Sequence, residues 1–133
     1  MRYTRIWSDG EGESHFEDVE ISMSSADYAP PAPPLDLSAA MAAQQVLFFE
    51  FPAGWFGDWH ASPRRQLYFN LGGALEVEVS DGETRRLDPG DIVLTEDLDG
   101  RGHTTRVIGD GPSVGAFVHL DEARATRPSR TEG

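Results

Sequence analysis

Gly54-Trp55-Phe56-Gly57-Asp58-Trp59-His60-Ala61-Ser62-Pro63-Arg64-Arg65-Gln66-Leu67-Tyr68-Phe69-Asn70-Leu71-Gly72-Gly73-Ala74-Leu75-Glu76-Val77-Glu78-Val79-Ser80 is the stretch from which the rest of the chain is read. From Ala74 to Ser80 apolar and acidic residues alternate, the period of a strand with one dry face and one wet face, so Leu75, Val77 and Val79 are expected in a core opposite Glu76 and Glu78. Ser80-Asp81-Gly82-Glu83 follows, and an Asp-Gly pair between two alternating runs predicts a type I′ hairpin turn in which both central residues take positive φ. A second turn, Asp88-Pro89-Gly90-Asp91, precedes the strand Ile92-Val93-Leu94. Upstream, alternation puts Gln66, Tyr68 and Asn70 on one face and Leu67, Phe69 and Leu71 on the other.

Outward from this centre the same pattern recurs in shorter pieces. Arg2 to Trp7 and His15 to Met23 alternate and are expected to add strands to the edge of a sheet, joined by the acidic turn Asp9 to Glu13. Tyr28-Ala29-Pro30-Pro31-Ala32-Pro33-Pro34 fits neither helix nor inner strand, because proline fixes φ and removes a donor; an extended strap across the surface is expected. A Pro-rich ligand for a foreign domain is the competing reading, and the strap's place inside one domain disfavours it. Ser38 to Gln45 has helix-forming residues for a turn or two. Val46 to Phe51, apolar but for Glu50, reads as a strand buried on both faces. Thr104 to Ile108 and Ser113 to Leu120 are the last strands, joined by Gly109-Asp110-Gly111-Pro112. The sum is eight to eleven strands with little helix, an all-β sandwich or barrel. The division is edge strands and strap over 1–45, barrel core over 46–120 and a fraying polar tail over 121–133, within one domain.

Composition removes several functions. The 133 residues carry a net charge of −12, with 23 acidic residues against 11 basic, every one of the latter arginine. Such a surface repels a phosphate backbone, so nucleic acid is not an expected partner. Without lysine there is no Schiff-base chemistry, and without cysteine no disulfide, thiolate ligand or thiol nucleophile. No apolar run approaches the ~20 residues of a membrane span and Met1-Arg2-Tyr3-Thr4 opens no signal-peptide core, so a cytoplasmic protein without membrane contact is expected. Ser62 lies in Ala-Ser-Pro, away from any nucleophile elbow, which disfavours a serine hydrolase.

In order and spacing the central stretch resembles the cupin superfamily. Its first signature, G-x5-H-x-H-x3,4-E-x6-G, is met in spacing by Gly54, His60, Ser62, Gln66 and Gly73, with Ser62 at the second histidine and Gln66 at the glutamate. The second, G-x5-P-x-G-x2-H-x3-N, is met by Gly100 and His103, with Leu98 at the proline, Val107 at the asparagine and Gly90 two residues early as its opening glycine. The resemblance implies a cupin double-stranded β-helix, a jelly-roll barrel with added N-terminal edge strands. It also implies a polar cavity into which His60, Gln66 and His103 project as ligands of one divalent transition metal such as zinc, iron, nickel or manganese. Cupins are often dimers, and a homodimer is expected here with Trp7 and Phe16 at its contact.

On that frame Ser62, Arg64, Asn70 and Trp59 are the expected substrate pocket and Tyr68 the candidate for proton transfer. Arg64 and Arg65 are adjacent in a strand, so only one of them enters the cavity. Trp55 and Phe56 are expected at the mouth or in the core, His15 in solvent rather than as a further ligand, and His119 as structural or exposed. A neutral-ligand site keeps the ion's full charge, favouring a small carboxylate- or carbonyl-containing metabolite and isomerase, lyase or dioxygenase chemistry. Against this stand a metal-free cupin that binds a small molecule as a sensor, and a scaffold whose cavity is filled by its own side chains.

Overall fold

Twelve strands and no helix make up the regular structure of residues 1–121, which are those the computed structural model describes. In chain order they are β1 (Arg2–Ser8), β2 (Ser14–Glu20), β3 (Ser24–Ala26), β4 (Leu35–Leu37), β5 (Ala43–Phe51), β6 (Phe56–His60), β7 (Gln66–Gly72), β8 (Ala74–Val79), β9 (Thr84–Leu87), β10 (Ile92–Glu96), β11 (His103–Ile108) and β12 (Ser113–Leu120). The fraying expected of the tail lies, beyond Asp121, outside the described residues.

The last eight strands pair as one long hairpin folded over itself. β5 pairs with β12, β6 with β11, β7 with β10 and β8 with β9, all antiparallel. Winding that ribbon lets β7 pair also with β12 and β8 with β11, giving two sheets in the orders β10-β7-β12-β5 and β6-β11-β8-β9. This is the jelly-roll topology. β1 and β2 extend the larger sheet, β2 antiparallel to β1 and β1 parallel to β10.

Alternation decides what lies between the sheets. Leu75, Val77 and Val79 are buried together with Ile6, Leu87, Val93, Val107 and Tyr68, as the strict pattern at Ala74 to Val79 requires. On the outer face of the larger sheet a second cluster joins Leu67, Leu94 and Leu120 to Tyr3, Phe69, Ile92 and Val118. Beside it Glu96 accepts from Arg5 Nε at 2.6 Å and from Arg65 Nε at 2.5 Å, while Arg5 Nη1 reaches Glu17 at 2.7 Å, so the added strands are tied to the barrel by paired buried charges.

Four expectations need correction. Gly82 alone takes positive φ (+100°) in the β8–β9 turn, and Asp81 does not. The turn is a type I turn closed by a left-handed glycine, with Gly82 N–H donating to Val79 O at 3.1 Å, because Gly bears the strain without help from Asp. The Pro-rich segment is the tip of a β3–β4 hairpin rather than a strap: Ala32 N–H donates to Ala29 O at 2.9 Å and the two short strands form a sheet of their own. The segment from Ser38 to Gln45 is not helical; it runs extended into β5. β5 itself is an exposed edge strand rather than one buried on both faces, with Phe48 83% exposed. Among the described residues no helix is long and apolar enough to cross a membrane.

Candidate functional site: a two-histidine cavity

β6 and β11 lie side by side with His60 directly opposite His103, their rings 5.1 Å apart between centroids and tilted by 49°. Gly102 makes this possible. At φ +72° it brings its backbone so close to β6 that a Cβ there would fall 1.9 Å from His60 O, and its carbonyl accepts from Ser14 Oγ at 2.6 Å.

Each imidazole has one nitrogen fixed by an acceptor. His60 Nδ1 is 2.7 Å from the Asp58 carbonyl oxygen, which can only accept, so the proton of the neutral ring is on Nδ1. His103 Nδ1 is 2.6 Å from Asp97 Oδ2, a carboxylate with no exposed surface, which fixes the same tautomer. In their neutral forms both rings therefore keep the Nε2 lone pair. Asp97 Oδ1 is buried and, among the described residues, has no hydrogen-bond partner, so within them this carboxylate is committed to His103.

The rings line a cavity of about 450 Å³ between the two sheets. One part of its wall is aromatic: Phe51 packs on Trp55 at 5.0 Å and on Tyr68 at 6.0 Å, and Phe117 on Phe49 and Tyr68 at 4.6 Å each. The remaining polar lining includes His60, Ser62, Arg64, Gln66, Thr95, His103 and His119. Among the described residues no carboxylate lines it, so in a chain of net charge −12 every ionisable lining group apart from Tyr68 is a potential cation.

Of the residues expected from sequence, His60, Gln66, His103, Ser62, Arg64 and Tyr68 all line this cavity. Arg65 turns the other way to Glu96, as adjacency in a strand demands. Ser62 Oγ donates to Arg64 O at 2.8 Å and lies 2.8 Å from Thr95 Oγ1, so it shapes the floor. Tyr68 lines the cavity, with its phenol pushed up from the usual range by burial and its hydroxyl donating to Asn70 Oδ1 at 3.3 Å. Asn70 is not in the cavity. Its amide nitrogen donates to Gly73 O at 3.0 Å and Leu87 O at 3.3 Å, and its oxygen accepts from Ser113 Oγ, which pins the β7–β8 turn. Trp59 also lies outside the lining, since it follows the alternation of β6 away from His60. Trp55 takes its place by folding over Gly57, where a Cβ would strike the indole at 2.5 Å. Phe56 sits outside the lining, under Arg106.

Two residues were missed. His119 lines the cavity, with Nδ1 3.1 Å from Gln45 Oε1; it shares the parity of Phe117 in β12, which was the available signal. Asp97 was hidden in the run Glu96-Asp97-Leu98-Asp99, which reads as an acidic loop. Trp7 and Phe16 are engaged within the chain, Trp7 stacked on His15 at 5.0 Å and Phe16 under Arg85 at 4.9 Å.

His15 lies outside the cavity, held between Asp81 (Nδ1, 2.8 Å) and Asp9 (Nε2, 2.8 Å). Burial pulls its pKa down, but the bonds to Asp9 and Asp81 outweigh that and raise it above 6.5. The His15 bond lowers Asp9 below 3.8, and the Glu83 backbone N–H followed by His15 lowers Asp81 below 3.8. The stability gained from the imidazolium is complete below its ordinary pKa and is lost as pH rises through the raised one. That from the carboxylates is present above their ordinary range and is lost as pH falls through the lowered values. His15→Gln is therefore expected to destabilise most between about pH 4 and 6.5 and less above neutrality, read as urea midpoints across pH. A deficit that is the same at every pH would show that the bridge is uncharged.

The strand order defines a jelly-roll barrel. Among solved structures the chain is similar to the cupin domain of Cnp3 from Schizosaccharomyces pombe, at 17% identity over 81% of this chain and 73% of that one with a TM-score of 0.48. It is similar to a cupin domain from Bordetella pertussis (22% identity, 57% of this chain, 79% of that one, TM-score 0.45). It is similar also to KdgF from Halomonas sp. (24% identity, 75% and 91%, TM-score 0.45). No protein-family model matches the sequence, and no curated protein does.

Proposed function

We propose that this small cupin acts on an amphipathic organic acid or carbonyl compound, whose apolar body lies against the Phe49–Phe51–Phe117 wall and whose head faces His60 and His103. The observation that carries the reading is the shared tautomer. Two histidines in one cavity both spend Nδ1 on an oxygen and leave Nε2 open, the outer arrangement that metal-ligating imidazoles require. By donor chemistry the pair fits a first-row divalent ion, with the neutral Gln66 amide as the third protein donor. Such an ion would supply Lewis-acid polarisation of the head group's oxygen. The chain's own part is to orient and to enclose: Asp97 and Asp58 fix the rings, the aromatic wall excludes water, and Arg64, in a lining without carboxylates among the described residues, favours an anion. Isomerase, lyase and dioxygenase reactions all suit that division of labour.

Metal analysis of protein purified without chelator or affinity tag tests this. About one ion per chain is expected in the wild type, with loss of most of it in His60→Ala and in His103→Ala. Wild-type protein that stays substoichiometric after incubation with zinc, iron, nickel or manganese, with no difference from His60→Ala, refutes the metal site. One observation favours a second reading: among the described residues no three His, Cys, Asp or Glu side chains come together as a ligand cluster. A metal-free cavity of this size and lining would still hold an aromatic or aliphatic carboxylate, and a thermal-shift screen of such acids with chelator present distinguishes the two.

A further inference from the structure

Ser14, the first residue of β2, has no exposed surface, although it is polar and belongs to a strand added outside the barrel. Its backbone N–H donates to Ser80 Oγ at 2.7 Å and its Oγ accepts from Ser80 N–H at 2.8 Å, which ties it to the end of β8. The hydroxyl proton goes to Gly102 O at 2.6 Å. His15, the next residue, is held between Asp9 and Asp81, so this end of β2 is itself fixed against the β8–β9 turn. The same hairpin grips the loop between β10 and β11 residue by residue. Asp99 O accepts from Ser8 Oγ at 2.8 Å, and Gly100 runs so close to Gly12 that a Cβ on it would fall 2.5 Å from Gly12 O. Arg101 N–H donates to Gly12 O at 2.9 Å and its guanidinium to Glu13 at 2.7 Å, and Gly102 is held by Ser14. That loop opens at Asp97 and closes at His103, the carboxylate and the imidazole that bond each other.

We propose that Ser14 is a positioning residue of the two-histidine site, and that the added β1–β2 hairpin is the clamp that sets His103 against His60. This rests on reading the two imidazoles as one binding site, but not on what they bind. A peptide unit is planar, so the carbonyl of Gly102 and the N–H of His103 turn together, and a bond that fixes the one orients the residue that carries the ring. Glycine has the freest backbone of any residue, so nothing intrinsic to Gly102 keeps its φ at +72°, and the hydrogen bond from Ser14 supplies the restraint. Gly102 is also buried. Without the Ser14 hydroxyl its carbonyl loses that donor away from water, and the peptide turns toward another. The turn acts where β6 and β11 meet, on two rings 5.1 Å apart. Ser14 does not itself line the cavity, so its whole effect on the site passes through Gly102.

NMR of the histidine rings in the metal-free protein, followed by titration with zinc, tests this in Ser14→Ala against Ser113→Ala. Ser113 is the matched control: it too has no exposed surface and donates to a glycine carbonyl, Gly72 O at 3.0 Å, at the end of β7 away from Gln66. Both variants are expected to lower the urea midpoint. Only Ser14→Ala is expected to move the His60 and His103 ring resonances and to weaken zinc binding roughly tenfold, the lower end of what loss of an outer-shell partner costs. Ser14→Cys, close in size and a weak donor, is expected to return both part of the way. A Ser14→Ala protein that is less stable but keeps the wild-type ring resonances overturns the inference, and so does a Ser113→Ala protein that moves them as far. A wild type that binds no zinc refutes the metal reading of the cavity, and the ring resonances of the metal-free protein then decide on Ser14 alone. Should Ser14→Ala not fold, Ser14→Cys takes its place, with a smaller displacement of the same resonances expected and none refuting the role.

Discussion

Gly102→Ala is expected to destabilise the protein by on the order of 3–5 kcal/mol, the range of a severe substitution, and to separate His60 from His103 in any fraction that still folds. Two costs combine. A left-handed φ of +72° costs an alanine about 1–2 kcal/mol, and the new methyl would lie 1.9 Å from His60 O, at the paired end of β6, and 2.5 Å from Ala61 N just beyond it, both backbone atoms that cannot rotate away. Relief requires β6 and β11 to part at the point where the two imidazoles meet. Gly82→Ala is the matched control: its φ is +100°, but no atom lies within 4 Å of the new Cβ, so only the backbone cost of about 1–3 kcal/mol applies. Urea unfolding of both variants against wild type measures the gap. Equal midpoints for the two alanines would mean that the close approach of Gly102 to β6 does not exist in solution.

Asp97→Ala is expected to weaken binding of a divalent ion by roughly 10–100-fold, the usual effect of losing an outer-shell partner, with His60 and His103 both still present. Asp97 Oδ2 is the acceptor that holds the proton on His103 Nδ1; without it the ring samples the other tautomer, whose Nε2 carries hydrogen and donates nothing to a cation. The experiment has a built-in contrast in Asp58. His60 leans on the Asp58 main-chain oxygen, while the Asp58 side chain accepts from Trp59 N–H at 2.8 Å, so Asp58→Asn is expected to leave ion binding nearly unchanged. Nitrogen-15 shifts of the imidazoles report the tautomer directly, apart from any catalytic assay. Two variants with the same affinity and the same His103 shifts would remove Asp97 from the site.

Much of this architecture was legible because strand periodicity is a local property. Leu75, Val77 and Val79 announce a half-buried strand within six residues, and the resemblance sets His60 and His103 in one cavity, though it put His103 on a strand across the barrel whereas β6 and β11 are paired neighbours. The polar triplet Gln66, Tyr68 and Asn70 was read correctly in phase but not in depth: the register of β12 against β7 shifts between Val114 and Gly115, opposite Gly72 and Asn70, and Asn70 turns to the Gly73 carbonyl instead of the cavity. Trp59 was misjudged although its adjacency to His60 already sent it to the opposite face. β5 shows a harder limit. Val46 to Phe51 reads as apolar whether it is enclosed by its own chain or exposed at an edge, since hydrophobicity records that a surface avoids water and not which surface covers it. Asp97 could not be found at all by pattern, because its meaning comes from an imidazole six positions away and from burial that the acidic run around it conceals.

The nesting of the barrel strands sets an order on synthesis. β8 and β9 meet as soon as both have left the ribosome, whereas β5 waits for a partner that ends at Leu120, the last strand among the described residues. Throughout that interval Val46 to Phe51 is an apolar strand with both edges open, the kind of segment that nascent chains pair with wrongly. A chain interrupted before Ser113 would leave β5 and one edge of β7 unpaired together, so such fragments are expected to aggregate while the finished protein does not.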